Sequence, residues 1–315
     1  MAPKKILVIT GPTASGKTAL AVELALRCGG EVVSADSMQI YRRMDIGTAK
    51  PTREEMRGVP HHMIDVADPA EDFSVARYVE MAARCADDIL ARGKLPIVAG
   101  GTGLYVDSLL SGRTFAAFSP DSPLRGELEA QLRREGGAAL LARLAQVDPE
   151  SAARLHPNDG KRIVRALEVY LSTGRTITQH NAETRAIPPR YDALTLTLAF
   201  RRREDMWARI DRRVDRMMAD GLVEEVRALL DSGVPEQCTA MQAIGYKEMA
   251  AALRSGGSPA AAAEEIKLRS RQYAKRQLTW FRRNPAAKWL FWEEVPDLAR
   301  ACQASTEYME EFGIV

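Results

Sequence analysis

The chain has 315 residues, 46% hydrophobic and 27% charged, enough for one large core or two smaller ones and ordinary for a soluble globular protein. Lys and Arg number 44 against 42 Asp and Glu, a formal +2, so net charge points to no acidic partner and a basic surface must be local. Cys28, Cys85, Cys238 and Cys302 form no CxxC pair, which excludes a disulfide framework or zinc knuckle. No apolar run approaches the roughly 20 residues that cross a bilayer, and Met1 to Lys5 leads straight into a strand, so a cytoplasmic chain without a signal peptide is expected.

In chain order, the apolar run Ile6 to Ile9 reads as a strand and Ala19 to Leu26 as a helix. Between them Gly11-Pro12-Thr13-Ala14-Ser15-Gly16-Lys17-Thr18 has the full GxxxxGK[ST] spacing. Its glycines let backbone wrap an anion, and the helix start aims free N–H groups into the same space. Lys17 adds a mobile cation and Thr18 a hydroxyl suited to Mg2+. Glu31 to Ala35 reads as a second strand that delivers Asp36 at its carboxyl end, where open α/β sheets bind ligands. Met44 to Val59 reads as loop, Pro60 to Val66 as a short strand and Ser74 to Leu90 as a helix. Leu95 to Ala99 is a further strand running into Gly100-Gly101-Thr102-Gly103-Leu104-Tyr105, with a helix from about Gly103. The fold class is α/β, a P-loop parallel sheet with helices on both faces and one working edge.

From about 115 to 190 no buried strand is legible. Leu124 to Leu144 and Ser151 to Leu171 read as helices, broken at Gly136-Gly137 and at Asp148-Pro149. Ala193 to Phe200 alternates as a returning strand. The expected division is therefore a core over 1–114, an inserted helical domain over 115–192 and the rest of the core over 193–315. Helices are expected over Arg203–Ala219, Leu222–Leu230, Tyr246–Leu253 and Ala260–Trp280, with a last strand at Trp289–Trp292. Lys267 to Arg283 holds seven basic residues and no acidic one; Gln272, Tyr273, Gln277 and Trp280 interleave with them. That stripe suits either a nucleic-acid backbone or a solvated face, and Tyr273, Trp280 and Phe281 suit either base stacking or a core. Lys161, Arg162 and Arg165 form a second basic set. Arg201 to Arg216 mixes Arg with Glu204, Asp205, Asp211 and Asp215 and reads as a salt-bridged face.

Several chemistries remain open at this point. A nucleotide-driven motor would present an apolar strand ending in Asp, whereas Leu95 to Ala99 ends in Gly100-Gly101. A small-molecule kinase could use Asp36 as base with late arginines as a phosphate lid. Asp36 could equally take a proton from an amine or hydroxyl attacking an electrophile whose leaving group is a diphosphate. An RNA-binding scaffold with a vestigial phosphate site is the non-enzymatic alternative. Asp36 and Thr102 could also serve only as caps. His61 and His62 diverge as neighbours and lack a nearby Cys to complete a metal set, so they read as structural or weakly RNA-contacting rather than metal-binding.

The ordered set Gly11 to Thr18, Asp36-Ser37-Met38-Gln39-Ile40-Tyr41, Asp45-Ile46-Gly47-Thr48-Ala49-Lys50-Pro51, Pro60-His61-His62 and Gly100 to Tyr105 resembles the tRNA dimethylallyltransferase family. The resemblance runs on through His156-Pro157-Asn158-Asp159, Arg165 to Glu168 and Ala243 to Glu248 to Arg271–Arg282, in order, and has the bacterial form. It implies transfer of a dimethylallyl group from its diphosphate to N6 of adenosine-37 in tRNAs reading codons beginning with U. Asp36 would be the general base and Thr102 its catalytic companion, with Thr18 on Mg2+. Gly11, Pro12, Thr13, Ala14, Ser15, Gly16, Lys17 and Thr18 would hold the donor's diphosphate, despite the ATP-binding look of the motif. Residues implied to meet tRNA are Asp36, Ser37, Met38, Gln39 and Thr102, then Gly160, Lys161, Arg162, Ile163 and Val164, then Gln242, Ala243, Ile244, Gly245, Tyr246 and Lys247. Arg271, Lys275 and Arg276 would meet diphosphate or RNA backbone. Ser270 stands where the family often has threonine and keeps the hydroxyl. The implied partners are the tRNA anticodon stem-loop and dimethylallyl diphosphate, with no membrane, for a monomer.

Overall fold

A computed structural model describes residues 4–112 and 122–315. The chain divides into two compact units, Met1–Leu110 with Arg190–Val315, and Ser111–Pro189. The boundary expected between 114 and 115 lies outside the described residues. Asp192, read from sequence as the end of the helical segment, already belongs to the sheet, its N–H donating to the Lys4 carbonyl at 3.0 Å.

The larger unit opens with β1 (Lys5–Thr10), α1 (Lys17–Cys28), β2 (Glu31–Ser34), α2 (Arg53–Met56), β3 (His61–His62), α3 (Val75–Ala91), β4 (Pro96–Gly100) and α4 (Gly103–Leu110). The smaller unit holds α5 (Pro123–Val147), α6 (Pro149–Ala153), α7 (Gly160–Thr173) and α8 (Ile177–Arg185). The larger unit resumes with β5 (Asp192–Phe200), α9 (Arg203–Ala219), α10 (Leu222–Asp231), α11 (Tyr246–Ser255), α12 (Pro259–Phe281), β6 (Lys288–Trp292) and α13 (Leu298–Phe312).

Six parallel strands lie in the order β3-β2-β4-β1-β5-β6. Parallel pairing needs crossover helices, and these cover both faces, so the central strands are apolar without alternation. Ile6 and Val8 pack with Val33 and Val98 beneath helices that include α3 and α11. Leu7 and Ile9, pointing the opposite way, pack with Val32 and Ile97 beneath α1, α9 and α13. Each such side chain contributes roughly 1.5–3 kcal/mol on burial. Because every strand runs the same way, the segments after β1, β2 and β4 open on one edge.

Three local elements escaped the sequence reading. The stretch read as loop contains α2, closed by a capping box in which Thr52 Oγ1 accepts from the Glu55 N–H and Glu55 accepts from the Thr52 N–H. α8 starts on a similar Thr176/Gln179 box, and α13 starts at Asp297 and buries Cys302 and Met309 against the sheet. The histidine pair is structural. His62 Nε2 lies 2.8 Å from Glu31 Oε2, and His61 Nδ1 lies 2.8 Å from the Val59 carbonyl. Arg92 first, against the opposing push of burial, then Lys94 and His62 hold the Glu31 carboxyl well below the usual range. Among the described residues no helix is long and apolar enough to cross a membrane, and the four cysteines are free thiols.

The smaller unit closes on Leu128, Leu140, Leu144, Ile163 and Leu167. α5 leaves helical geometry at Gly136 (φ 80°, ψ 165°), and a Cβ on Gly137 would stand 1.9 Å from the Pro157 carbonyl oxygen. The expected break at this glycine pair is thus present: two helical segments meet across Gly136.

At the working edge, a Cβ on Gly100 would stand 2.2 Å from the Ala35 carbonyl oxygen, immediately before Asp36. Gly100→Ala is expected to cost about 1–3 kcal/mol in urea unfolding, with an unchanged m-value.

Candidate active site

The loop after β1 is held open largely by its neighbours. Gly11 (φ 146°), Ala14 (φ 62°) and Gly16 (φ 85°) all take positive φ, and a Cβ on Gly11 would stand 2.6 Å from the Leu198 carbonyl oxygen. Trp292 Nε1 donates to the Ser15 carbonyl at 2.7 Å and Arg209 Nε to the Ala14 carbonyl at 3.0 Å. The Thr13 N–H donates to Gln277 Oε1 at 2.9 Å. Gly16 caps α1 without a side-chain bond, leaving first-turn N–H groups for an anion. Gly11, Pro12, Ala14 and Ser15 are buried, whereas Thr13, Lys17 and Thr18 line a cavity of about 480 Å3.

Positive charge converges on that cavity. Lys17 Nζ donates to the Pro12 carbonyl at 2.7 Å. Burial first, then repulsion from Arg213, pushes the Lys17 ammonium down to about 7, while Asp36 pulls it back up. Lys17 keeps some surface on the cavity side, so water moderates the shift. Arg213, on α9, donates from Nη2 to the Thr48 carbonyl at 3.4 Å, while its buried Nε has no partner. Burial lowers this guanidinium too, opposed by Asp36. Ser15 Oγ is likewise buried without a partner. Two cations, a helix start and orphaned donors around one space are the chemistry of an anion site.

Asp36 faces the same cavity. Its Oδ1 accepts from the N–H groups of Met38 (2.8 Å) and Gln39 (3.3 Å), so the carboxylate both caps the turn and presents a charge. Thr102 Oγ1 accepts from the Ser37 N–H at 3.0 Å and lies 3.3 Å from Ser37 Oγ. The Tyr273 hydroxyl is pushed up to about 12 by burial and then by the Asp36 charge, against a lowering pull from Thr102 and Gln277. Gln277 Nε2 donates to the Gly101 carbonyl at 2.8 Å, so one side-chain amide ties the loop after β1 to the loop after β4. Part of the wall is apolar: Ile210, Val214, Met217, Ile244 and Ile266. A carboxylate, an anion cradle and an apolar wall thus share one space.

Ser37, Met38, Gln39, Gln242, Ala243, Ile244 and Arg276 line this cavity as well. Other expected residues do not. Thr102 is not among the lining residues and contacts them through Ser37. Ile163 and Val164 are buried in the core of the smaller unit, where they hold it together and offer RNA no side chain. Tyr246 is fully buried and donates to Glu225, and Gly245 is buried with its N–H donating to Glu248 at 2.8 Å. Arg271 is engaged by Asp211 at 2.9 Å, whereas Lys275 and Lys247 are exposed. In the smaller unit Lys161 and Arg162 are exposed at the start of α7 beside Gly160, and Arg165 pairs with buried Glu168. Trp280 donates to Asp107 at 2.8 Å and Phe281 is core, so of the three aromatics only Tyr273 lines the cavity.

The face read as salt-bridged needs correction at Arg209, which bonds the Ala14 carbonyl, and at Arg213. Arg203 pairs with Glu204, Asp211 with Arg271 and Asp215 with Lys267, but Arg213 turns inward. Its signal was present: Met206, Ile210, Val214 and Met217 recur at helical spacing, and Arg213 falls inside that apolar stripe.

The described residues contain no group of three or more His, Cys, Asp or Glu able to hold a metal. The Thr18 hydroxyl and Asp36 carboxylate are hard oxygen donors on the cavity wall. That set fits Mg2+, which takes one or two protein oxygens and fills its octahedron with phosphate oxygens and water.

A family model described as IPP transferase matches residues 39–284, and one described as isopentenyl transferase matches residues 4–68. A tRNA dimethylallyltransferase of Geobacter sulfurreducens is 51% identical over 311 residues, 98% of this chain and 97% of that one. Its counterpart in Acetivibrio thermocellus is 45% identical, covering 98% of each chain. Among solved structures, the full-length tRNA isopentenylpyrophosphate transferase of Bacillus halodurans aligns with TM-score 0.73 at 41% identity over 98% of each chain. A eukaryotic dimethylallyltransferase solved acting on tRNA aligns with TM-score 0.81 at 29% identity, over 98% of this chain and 80% of that one.

The Lys17 environment makes a signed prediction. Its folded pKa lies below its unfolded value, so the unfolded chain binds more protons between about 7 and 10.5 and stability rises with pH through that window. Lys17→Met should melt about 2–4 °C higher than the parent at pH 6 in the absence of ligand, the gap closing toward pH 10. Binding of inorganic diphosphate, followed by calorimetry, should weaken above pH 7 more steeply in the parent than in Lys17→Met, because the parent must take up a proton to bind.

Proposed function

The chain belongs to the tRNA dimethylallyltransferase family and carries its activity, prenyl transfer to adenosine-37 of tRNA to form N6-(dimethylallyl)adenosine; we propose how the cavity residues divide that work. The observation that carries the assignment is the meeting of the Asp36 carboxylate with Lys17 and Arg213 in one cavity with an apolar wall. The loop from Gly11 to Thr18 grips the diphosphate of dimethylallyl diphosphate, not a nucleotide's phosphate chain. Lys17, Arg213 and Arg276 supply the positive charge, and the first-turn N–H groups of α1 complete the cradle. Thr18, with Asp36 nearby, would hold Mg2+, which supplies further charge neutralisation to the diphosphate when bound.

The N6 amine of adenine is a weak nucleophile, because its lone pair is delocalised into the ring. Approach geometry and proton removal therefore both matter. The N6–C1 bond forms as the C1–O bond to diphosphate breaks, and the electron pair leaves with the diphosphate. Asp36 takes the N6 proton, and Oδ1, held by the Met38 and Gln39 amides, fixes the carboxylate. Ser37, Met38 and Gln39 meet the base, which leaves the anticodon-loop stack at a cost of a few kcal/mol. Thr102 keeps the Ser37 segment in place. Ile210, Val214 and Met217 enclose the five-carbon group and keep water from the allylic carbon.

Exposed Lys161, Arg162, Lys247 and Lys275 meet RNA backbone, so tRNA affinity falls as salt rises. The substrates are tRNAs reading codons beginning with U, with adenosine beside the anticodon.

Incubation with tRNA, Mg2+ and dimethylallyl diphosphate, followed by nucleoside mass analysis, should show one dimethylallyl unit gained on adenosine; none gained would refute the reading. Asp36→Ala should lose kcat by roughly 10²–10⁴-fold while keeping tRNA affinity. Arg213→Gln should lose roughly 10²–10³-fold in kcat/KM for the donor, measured at saturating tRNA.

A further inference from the structure

Three consecutive backbone amides of one loop meet a single carboxylate. Glu225, on α10, accepts from the Asp45 and Ile46 N–H groups through Oε2 at 2.8 Å each, and from the Gly47 N–H through Oε1 at 3.0 Å. The Tyr246 hydroxyl also donates to Oε1. A carboxylate is acceptor-only with about four lone-pair sites, so these four donors fill it. The Tyr246 ring closes over the same loop, since a Cβ on Gly47 would stand 2.5 Å from it. On the other flank Lys50 is ion-paired to Asp45 and Asp65 and donates to the Tyr41 carbonyl at 2.9 Å.

The next residues of that loop hold cavity side chains. Gln39 Nε2 donates to the Thr48 and Ala49 carbonyls at 3.3 and 3.1 Å, and Arg213 Nη2 donates to the same Thr48 carbonyl at 3.4 Å. Gln39, Thr48, Ala49 and Arg213 line the cavity, whereas Glu225 does not. We infer that Glu225 is a positioning residue for prenyl transfer, setting the Thr48 and Ala49 carbonyls that orient Gln39 toward the base. The inference rests on the reading of Gln39 as a base-facing residue. A Gln at 225 would turn an NH2 toward backbone N–H groups, leaving at least one of them unpaired and the loop free to drift.

The test is a double-mutant cycle in the full chain, with kcat and KM for tRNA measured at saturating donor and melting followed in parallel. Glu225→Gln should fold yet lose roughly 10-fold or more in kcat/KM for tRNA. In a Gln39→Ala background the same change should cost about threefold or less, because the route is already cut. Wild-type kinetics in Glu225→Gln, or losses that multiply fully with those of Gln39→Ala, overturn the inference. A Gln39→Ala enzyme at the parent's rate refutes the base-facing reading itself, and with it the route, and is told apart by that single variant. Should Glu225→Gln not fold, Tyr246→Phe keeps the ring and removes one donor. It should lose roughly 2–5-fold with the same non-additivity, and parent-like kinetics there overturn the inference.

Discussion

Positive charge is buried beside the carboxyl ends of β1, β2 and β4, where Asp36 is the one carboxylate among the described residues lining the cavity, and much of the larger unit serves to hold it there. Lys17 and Arg213 repel one another across the cavity, and Asp36 alone among the lining residues attracts both. A loop of glycines and positive-φ residues would relax away from such repulsion if left to itself. It is instead pinned from outside, by Trp292 on Ser15, Arg209 on Ala14 and Gln277 on Thr13. In the proposed reading a bound diphosphate would offset that repulsion, with the donors already oriented and little reorganisation left.

The pins come from the far half of the chain. α9, α10, α12 and β6 all follow the helical unit in sequence, yet they carry the side chains that fix loops belonging to the first part of the core. Gln277 joins two of those loops with one amide, and Glu225 gathers the amides of a third loop. Side chains delivered from helices are fixed more rigidly than loops could fix one another, which suits a reaction limited by approach geometry.

The same constraint explains why a phosphate loop can serve prenyl transfer. The cradle recognises a diphosphate by charge and backbone N–H groups and reads nothing beyond it. What stands next to the cradle decides the chemistry. Here that is an apolar wall of Ile210, Val214 and Met217 on one side and Asp36 with its turn on the other. An allylic group and an aromatic amine suit those surfaces better than a ribose and a hydroxyl do.

Local order in the sequence determined a good deal by itself. The strand, glycine turn and helix around Gly11 to Thr18 were legible because spacing alone places backbone N–H groups, and Asp36 and Gly100 because they end apolar strand runs. α2 and α8 carried readable capping boxes that went unread, and Arg213 sat visibly in an apolar stripe. Other features had no local signal. Ile163, Val164 and Tyr246 lie in motif segments, and only packing shows that they face inward. Which cations of α12 are free was likewise undecidable, because Asp211, some 60 residues away, engages Arg271 while Arg276 reaches the cavity. Periodicity and turn chemistry act over a few residues and can be read along the chain. Ion pairs, orphaned donors and shared carboxylates act through space, so only the tertiary structure decided which charges were left over for a ligand.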